Sequence, residues 1–147
     1  MASLIVSGAL TSLDEIRTFV NEQARSAGLD ERRTYRLSLA VDEIATNIIN
    51  YGYVSTGVEG EVRIISKDDN GDLVIVLEDS SPPFDPFSHA RPDDLDAPLE
   101  ERDIGGLGIF LASQNVDEFR YEHADGSNRN IFVVHKQPSD GSSESQP

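Results

Sequence analysis

The sequence predicts an α+β fold: a two-layer α/β sandwich in which helices gather on one face of a mixed, mainly antiparallel sheet. Three observations lead there. Two segments before residue 52 repeat their apolar residues at helical spacing. Two later pairs of apolar runs are joined by short links rich in turn-forming residues. The resulting order is strand, two helices, hairpin, long loop, short helix, hairpin, which suits helices stacked on one side of an antiparallel sheet.

The first strand is the apolar run Leu4-Ile5-Val6. Ser12-Leu13-Asp14-Glu15 has the Ser-x-x-Glu form of a capping box, and Leu13, Ile16, Val20, Ala24 and Ala27 follow at helical spacing until Gly28 stops the helix. Asp30 can cap a second helix, expected to run to about Tyr51. Its apolar positions Leu37, Val41, Ile44, Ala45, Ile48 and Ile49 cover much of its circumference, so it should be buried on more than one side. Residues 62–65 and 73–77 flank Asp68-Asp69-Asn70-Gly71, and Asn-Gly is a hairpin signal because both residues tolerate positive φ. The second of these runs has no polar alternation and should be a central strand. Residues 116–121 and 131–134 form the second predicted hairpin around Ala124-Asp125-Gly126-Ser127.

Between the hairpins, residues 80–104 hold five prolines among many acidic residues and show no apolar period. A loop of that length in a compact domain is functional or disordered. Gly105-Gly106-Leu107-Gly108 closes it and opens the apolar run Ile109-Phe110-Leu111-Ala112, read as a short helix. A chain of 147 residues is the size of one domain, expected over residues 1–137, with the Ser/Pro/Gly-rich residues 138–147 a disordered tail.

Composition narrows the function. There is no cysteine, hence no disulfide, thiolate metal site or cysteine nucleophile, and with no signal peptide or membrane span in the sequence the expected location is the cytoplasm. A formal net charge of -15 should repel nucleic acid and anionic lipid, so neither DNA nor a membrane is an expected partner. The same charge would repel a nucleotide unless a divalent cation, helix N-terminal amides or local arginines made the site attractive. His89, His123 and His135 have no mutual spacing suited to a metal site.

Four features carry chemistry. Glu43 and Asn47 share one face of the second helix, where a carboxylate can take a proton and a neutral amide oxygen can ligate Mg²⁺. Taken alone, the pair fits the commoner case of a solvated stripe on an amphipathic helix better. Asp79 follows the central apolar run and could accept a hydrogen bond from an exocyclic amine such as that of adenine, or could simply start a turn. The 105–108 glycine segment could bring backbone N–H groups to a phosphate, or serve as a hinge. Arg102, in an acidic loop, could pair with a terminal phosphate or neutralise Glu100 or Glu101.

Three stretches in order resemble motifs of one family. Residues 39–53, Leu-Ala-Val-Asp-Glu-Ile-Ala-Thr-Asn-Ile-Ile-Asn-Tyr-Gly-Tyr, resemble the N box of the Bergerat-fold (GHKL) ATPases in the form found in anti-sigma-factor serine/threonine kinases. Residues 79–86, Asp-Ser-Ser-Pro-Pro-Phe-Asp-Pro, resemble the family's Asp-x-Gly-x-Pro-Phe-Asp-Pro box, and residues 101–111 its second glycine box. The resemblance runs from Leu4 to Lys136. It implies ATP and Mg²⁺ as cofactors, Asn47 as the Mg²⁺ ligand, Glu43 as general base and Asp79 as the adenine-recognising residue. It also implies phosphate contacts from Gly105, Gly106, Leu107 and Gly108, with the preceding loop as an ATP lid. The implied activity is a protein serine kinase acting on a Ser of a STAS-type anti-anti-sigma partner, with a sigma factor as a further partner and homodimerisation by the same likeness. Two departures stand out. Ser81 occupies the place of the family's Gly and is expected to weaken or alter nucleotide binding rather than abolish it, its hydroxyl joining the base-binding hydrogen bonds. The Thr that often follows glycine late in the family is missing, with Gly126-Ser127-Asn128 in its place and Ser127 the expected substitute. These departures motivate the alternative of a module that sequesters a sigma factor or other regulator with little use of nucleotide.

Overall fold

The structure is a computed structural model and describes residues 1–83 and 112–136. Five strands, β1 (Ala2–Ser7), β2 (Glu61–Asp69), β3 (Asp72–Asp79), β4 (Glu118–Ala124) and β5 (Ser127–His135), form one sheet in the order β1-β2-β3-β5-β4. Every pairing is antiparallel, so among the described residues the sheet is wholly antiparallel. The apolar run of β3 lies in the middle, as its lack of alternation predicts.

Two helices, α1 (Leu13–Ser26) and α2 (Glu31–Asn47), connect β1 to β2 and pack on one face of the sheet. Gly28 adopts φ +90° and the Leu29 N–H reaches back to the Ala24 carbonyl at 3.0 Å, ending α1 in a left-handed cap. Asp30 then caps α2, its carboxylate accepting from the Arg33 N–H at 2.8 Å. The capping box expected at Ser12 does not form. A 3₁₀ turn over Leu10–Ser12 already places Ser12 in the helical region, and its hydroxyl pairs with that of Ser7 at 3.1 Å. Arg17 ties the helices together through the Asp42 carboxylate at 3.0 Å.

The core lies between helices and sheet. Val6, Val62, Ile64, Ile75, Leu77, Phe132 and Val134 meet Ile16, Val20, Leu37, Val41, Ile44 and Ile49 from the helices. Strand alternation puts Val74, Val76 and Val133 on the opposite face, where they form a smaller apolar cluster with Ile65 and Ile131. Both hairpin turns use consecutive positive φ values, Asn70 (52°) with Gly71 (89°) and Asp125 (54°) with Gly126 (77°). The second hairpin begins at Glu118, two residues later than the sequence pattern suggests, because residues 112–114 are helical and a bend precedes the strand. The rest of the predicted short helix lies outside the described residues.

Past Asn47 the helical path continues as a π-helical turn over Ile48–Val54. The wider turn carries Tyr53 under the sheet end, where its ring fills the space left by the missing side chains of Gly8 and Gly60. The Tyr53 hydroxyl donates to the Glu61 carbonyl at 2.7 Å and accepts from the Ser80 N–H at 3.2 Å, tying the end of the helix to the first residue after β3. Tyr53→Phe would strand both backbone groups and is expected to destabilise the fold by about 1–3 kcal/mol. Chemical denaturation of the two proteins checks this; equal midpoints would show that the hydroxyl links nothing of consequence.

Candidate functional site

Three elements converge at one end of the sheet: the last turns of α2, the end of β3 and the start of β5. Asp79 closes β3 on its helix-facing side and is only 3% exposed. One carboxylate oxygen, Oδ1, accepts from the Ser81 N–H at 3.0 Å, from the Ser81 hydroxyl and from Asn128 Nδ2 at 3.1 Å. The other, Oδ2, is buried with no partner. Asn128 is the cross-strand neighbour of Asp79, and its amide oxygen accepts from the Tyr121 hydroxyl. Burial pushes the Asp79 carboxyl above the usual aspartate range, the Ser81 and Asn128 hydrogen bonds opposing it.

Ser81 sits 4% exposed against Gly52 in the π-helical turn. A Cβ on Gly52 would lie 2.5 Å from the Ser81 Oγ and 2.8 Å from its Cβ, so the two positions fit only because one has no side chain. This contact joins the stretch carrying Glu43 and Asn47 to the one carrying Asp79. Asn47 is buried, and its Nδ2 also lacks a partner. Glu43, one turn earlier on the same face, is half-buried, and desolvation followed by the neighbouring Asp42 charge raises its carboxyl above the ordinary glutamate range. Asn130, on the same face of β5 as Asn128, leaves its Oδ1 unpaired.

Unpaired buried polar atoms each cost about 1–3 kcal/mol, so a native fold that keeps them calls for an explanation. A nucleotide supplies one. The free Asp79 oxygen suits an N–H donor such as an exocyclic amine, and the Asn47 amide suits a hard cation as a neutral oxygen ligand when its oxygen faces outward. ATP and Mg²⁺ therefore fit the residues present. Among the described residues no three acidic or histidine side chains gather as a metal site, so the cation would take most of its ligands from phosphate and water.

Not every predicted residue comes to this place. Ser127 lies on the opposite face of β5 and lines an open cleft of about 960 Å³ together with Asp79, Ser80, Tyr53, Arg63 and Glu78, a cleft that Glu43 and Asn47 do not line. Asn128, one residue on, makes a hydrogen bond to Asp79 instead. Strand parity held the signal: Asn128 shares its face with the core residues Phe132 and Val134. Arg102, Gly105, Gly106, Leu107 and Gly108 lie outside the described residues.

A family model described as a histidine kinase-like ATPase domain matches residues 6–134. The chain belongs to that family. Among named relatives, the serine-protein kinases RsbW of Bacillus cereus and Bacillus anthracis are 29% identical over 94 residues, covering 61% of this chain and 57% of theirs. The chain thus spans little over half the length of these relatives. The structure of the RsbU and RsbW domains of a Mycobacterium tuberculosis protein superposes with a TM-score of 0.61 at 14% identity, covering 92% of this chain and 32% of that one. The Acinetobacter baumannii histidine kinase AdeS superposes at 0.52 and 13%, covering 94% and 70%. At such identities these structures establish the fold, the ATPase sandwich expected from the sequence.

Two outcomes follow from this family member's site. Gly52→Ala should cost about 1–3 kcal/mol through overpacking, and Ser81→Gly in the same chain should restore most of it. Thermal melts of the two single variants and the double variant measure the coupling, and strictly additive effects would deny the contact. For Asp79, a folded-state pKa above the unfolded one means that the contribution to stability is full in acid and lost as pH rises through the folded value. Asp79→Asn stays neutral, so its melting temperature should gain on the wild type as pH rises through the raised Asp79 pKa and lose that gain towards acid. A difference independent of pH would place the charge elsewhere.

Proposed function

We propose that the chain is an ATP- and Mg²⁺-binding regulatory kinase, transferring the γ-phosphoryl group of ATP to a serine hydroxyl of a STAS-type anti-anti-sigma partner. Residues 1–137 would act as one nucleotide-binding unit, in the cytoplasm and in contact with a sigma factor as well. The observation that carries this reading is the unpaired buried Asp79 Oδ2, an acceptor without a donor at the end of the sheet where the last turns of α2, β3 and β5 meet. Relatives named serine-protein kinase supply the reaction class. Assembly into a homodimer belongs to the same likeness.

In this reading Asp79 takes the exocyclic amine of the base through its open oxygen, while Ser81 and Asn128 hold the carboxylate in place. Asn47 would hold Mg²⁺ through its amide oxygen, and the ion's charge would offset that of the phosphates in a chain of net charge -15. The 105–108 glycine segment and Arg102, outside the described residues, would supply the phosphate contacts that the family resemblance implies. Glu43 takes the proton of the incoming serine hydroxyl as its oxygen bonds to the γ-phosphorus and the bond to the β-phosphate oxygen breaks, releasing ADP. Positioning and charge neutralisation do most of the work in such a transfer. A carboxyl raised by burial is a better base than an ordinary glutamate once ionised.

A second reading, a module that sequesters a sigma factor or other regulator, is favoured by Ser81, whose side chain fills space that the family's Gly leaves open. Two measurements separate the readings. Titration calorimetry with MgATP should give binding that Asn47→Ala abolishes or weakens at least about tenfold. Phosphorylation of a STAS-type partner by Glu43→Ala should be slower by about 10²–10⁴ with nucleotide affinity kept, and the wild-type rate should fall in acid through a pKa above the glutamate range. No heat with ATP selects the module; heat with an unchanged Glu43→Ala rate removes Glu43 as the base.

A further inference from the structure

A second feature lies at the other end of α2. Arg32, Arg33 and Arg36 stand on its first turns, about 16 Å along the axis from Asn47 when reckoned from Arg36. They line a surface depression of about 390 Å³ together with Asn115, Asp117 and His135. Most described cations of this acidic chain are spoken for: Arg17, Arg25, Arg63, Arg120, Arg129 and Lys136 each lie within ion-pair distance of a carboxylate. The three arginines of α2 are different. Arg33 donates to the Lys136 carbonyl at 3.1 Å, and Arg36 to the Gln114 carbonyl at 2.8 Å and the Asn115 amide oxygen at 3.1 Å. Neutral acceptors fix these guanidinium groups without cancelling their charge. Arg32 is exposed and has no hydrogen bond or ion pair among the described residues.

The two carboxylates lining the depression serve backbone N–H groups, Asp30 that of Arg33 and Asp117 that of His135. A neutral N–H leaves a carboxylate its charge, so three guanidinium groups face two carboxylates, and the patch keeps a small positive excess in a chain of net charge -15, its side chains partly preordered. Tyr35 stands beside it, 66% exposed. Arg and Tyr together are the side chains enriched at the centres of protein interfaces, and the space exceeds what one phosphate needs. A long polyanion such as nucleic acid would meet the repulsion of the whole chain, whereas a short acidic segment meets only the patch.

We propose that Arg32, Arg33 and Arg36, with Tyr35 beside them, form a docking surface for an acidic segment of a protein partner, separate from the nucleotide site. Bidentate guanidinium–carboxylate pairs would supply its specificity. The surface stands whether or not the other end of α2 binds ATP.

The test uses the full chain and a fluorescently labelled hexaglutamate peptide, followed by anisotropy at low ionic strength. Wild-type protein should bind it and release it as salt is added. Arg32→Gln should weaken binding at least about threefold, and Arg32 touches nothing that could unfold the protein. Arg63→Gln, an equal change of charge at the opposite end of the sheet, should leave binding within about twofold. No binding by the wild type overturns the proposal, as does equal loss in both variants, which would mean a diffuse charge effect. Displacement of the peptide by an equal concentration of inorganic phosphate would assign the patch to a small oxyanion instead, and also overturns it.

Discussion

The nucleotide end of the molecule depends on how the Asp79 carboxylate is held. Three donors converge on one oxygen, from the Ser81 N–H, the Ser81 hydroxyl and Asn128, while the other oxygen has none. A carboxylate loaded so unevenly cannot rotate without breaking bonds that are strong in a buried setting. Its unpaired, buried oxygen therefore keeps one direction. Other features at this end serve that orientation: β5 sets Asn128 opposite Asp79, Tyr121 holds the Asn128 oxygen, and Gly52 leaves the space that Ser81 occupies.

The π-helical turn makes the arrangement possible. Had α2 continued at regular pitch past Asn47, Gly52 and Tyr53 would present different faces to the sheet. With the wider turn, Gly52 meets Ser81 while Tyr53 lies beneath Gly8 and Gly60 and bonds the Ser80 N–H. Two successive residues thus grip two successive residues of the chain leaving β3. A π-helical turn in this position is the kind of irregularity that functional sites keep.

Much of this could be read from the sequence. The buried helix with its polar stripe, the central strand that ends at Asp79 and the Asn-Gly turn follow from periodicity and turn chemistry, which act over a few residues. What could not be read depends on three-dimensional neighbours. The hydroxyl of Ser12 serves Ser7 because a preceding 3₁₀ turn changes its backbone angles. The fit of Ser81 to Gly52 joins positions 29 apart, and nothing local announces it. Asn128 is an intermediate case. Counting in twos from Phe132 places it on the core face and Ser127 on the other, a parity that the Gly126 turn preceding both residues does not announce.

The acidic chain also meets its own electrostatic difficulty in a legible way. Around the site the polar groups are chiefly neutral: Asn47, Ser81, Asn128 and Asn130 are buried, and Asn50 is half-buried. The two carboxyl groups of the candidate site, Glu43 and Asp79, are both raised by desolvation, so each is less readily ionised than it would be in water. Elsewhere, carboxylates such as Glu78 and Glu122 are paired with Arg129 on the far face of the sheet. Neutral amides offer hydrogen bonds and a metal ligand at no cost in charge, whereas a carboxylate in the same place would add to the repulsion of a phosphate. For a protein with 27 acidic and 12 basic residues, lining the site with asparagine reconciles the overall charge with an anionic guest.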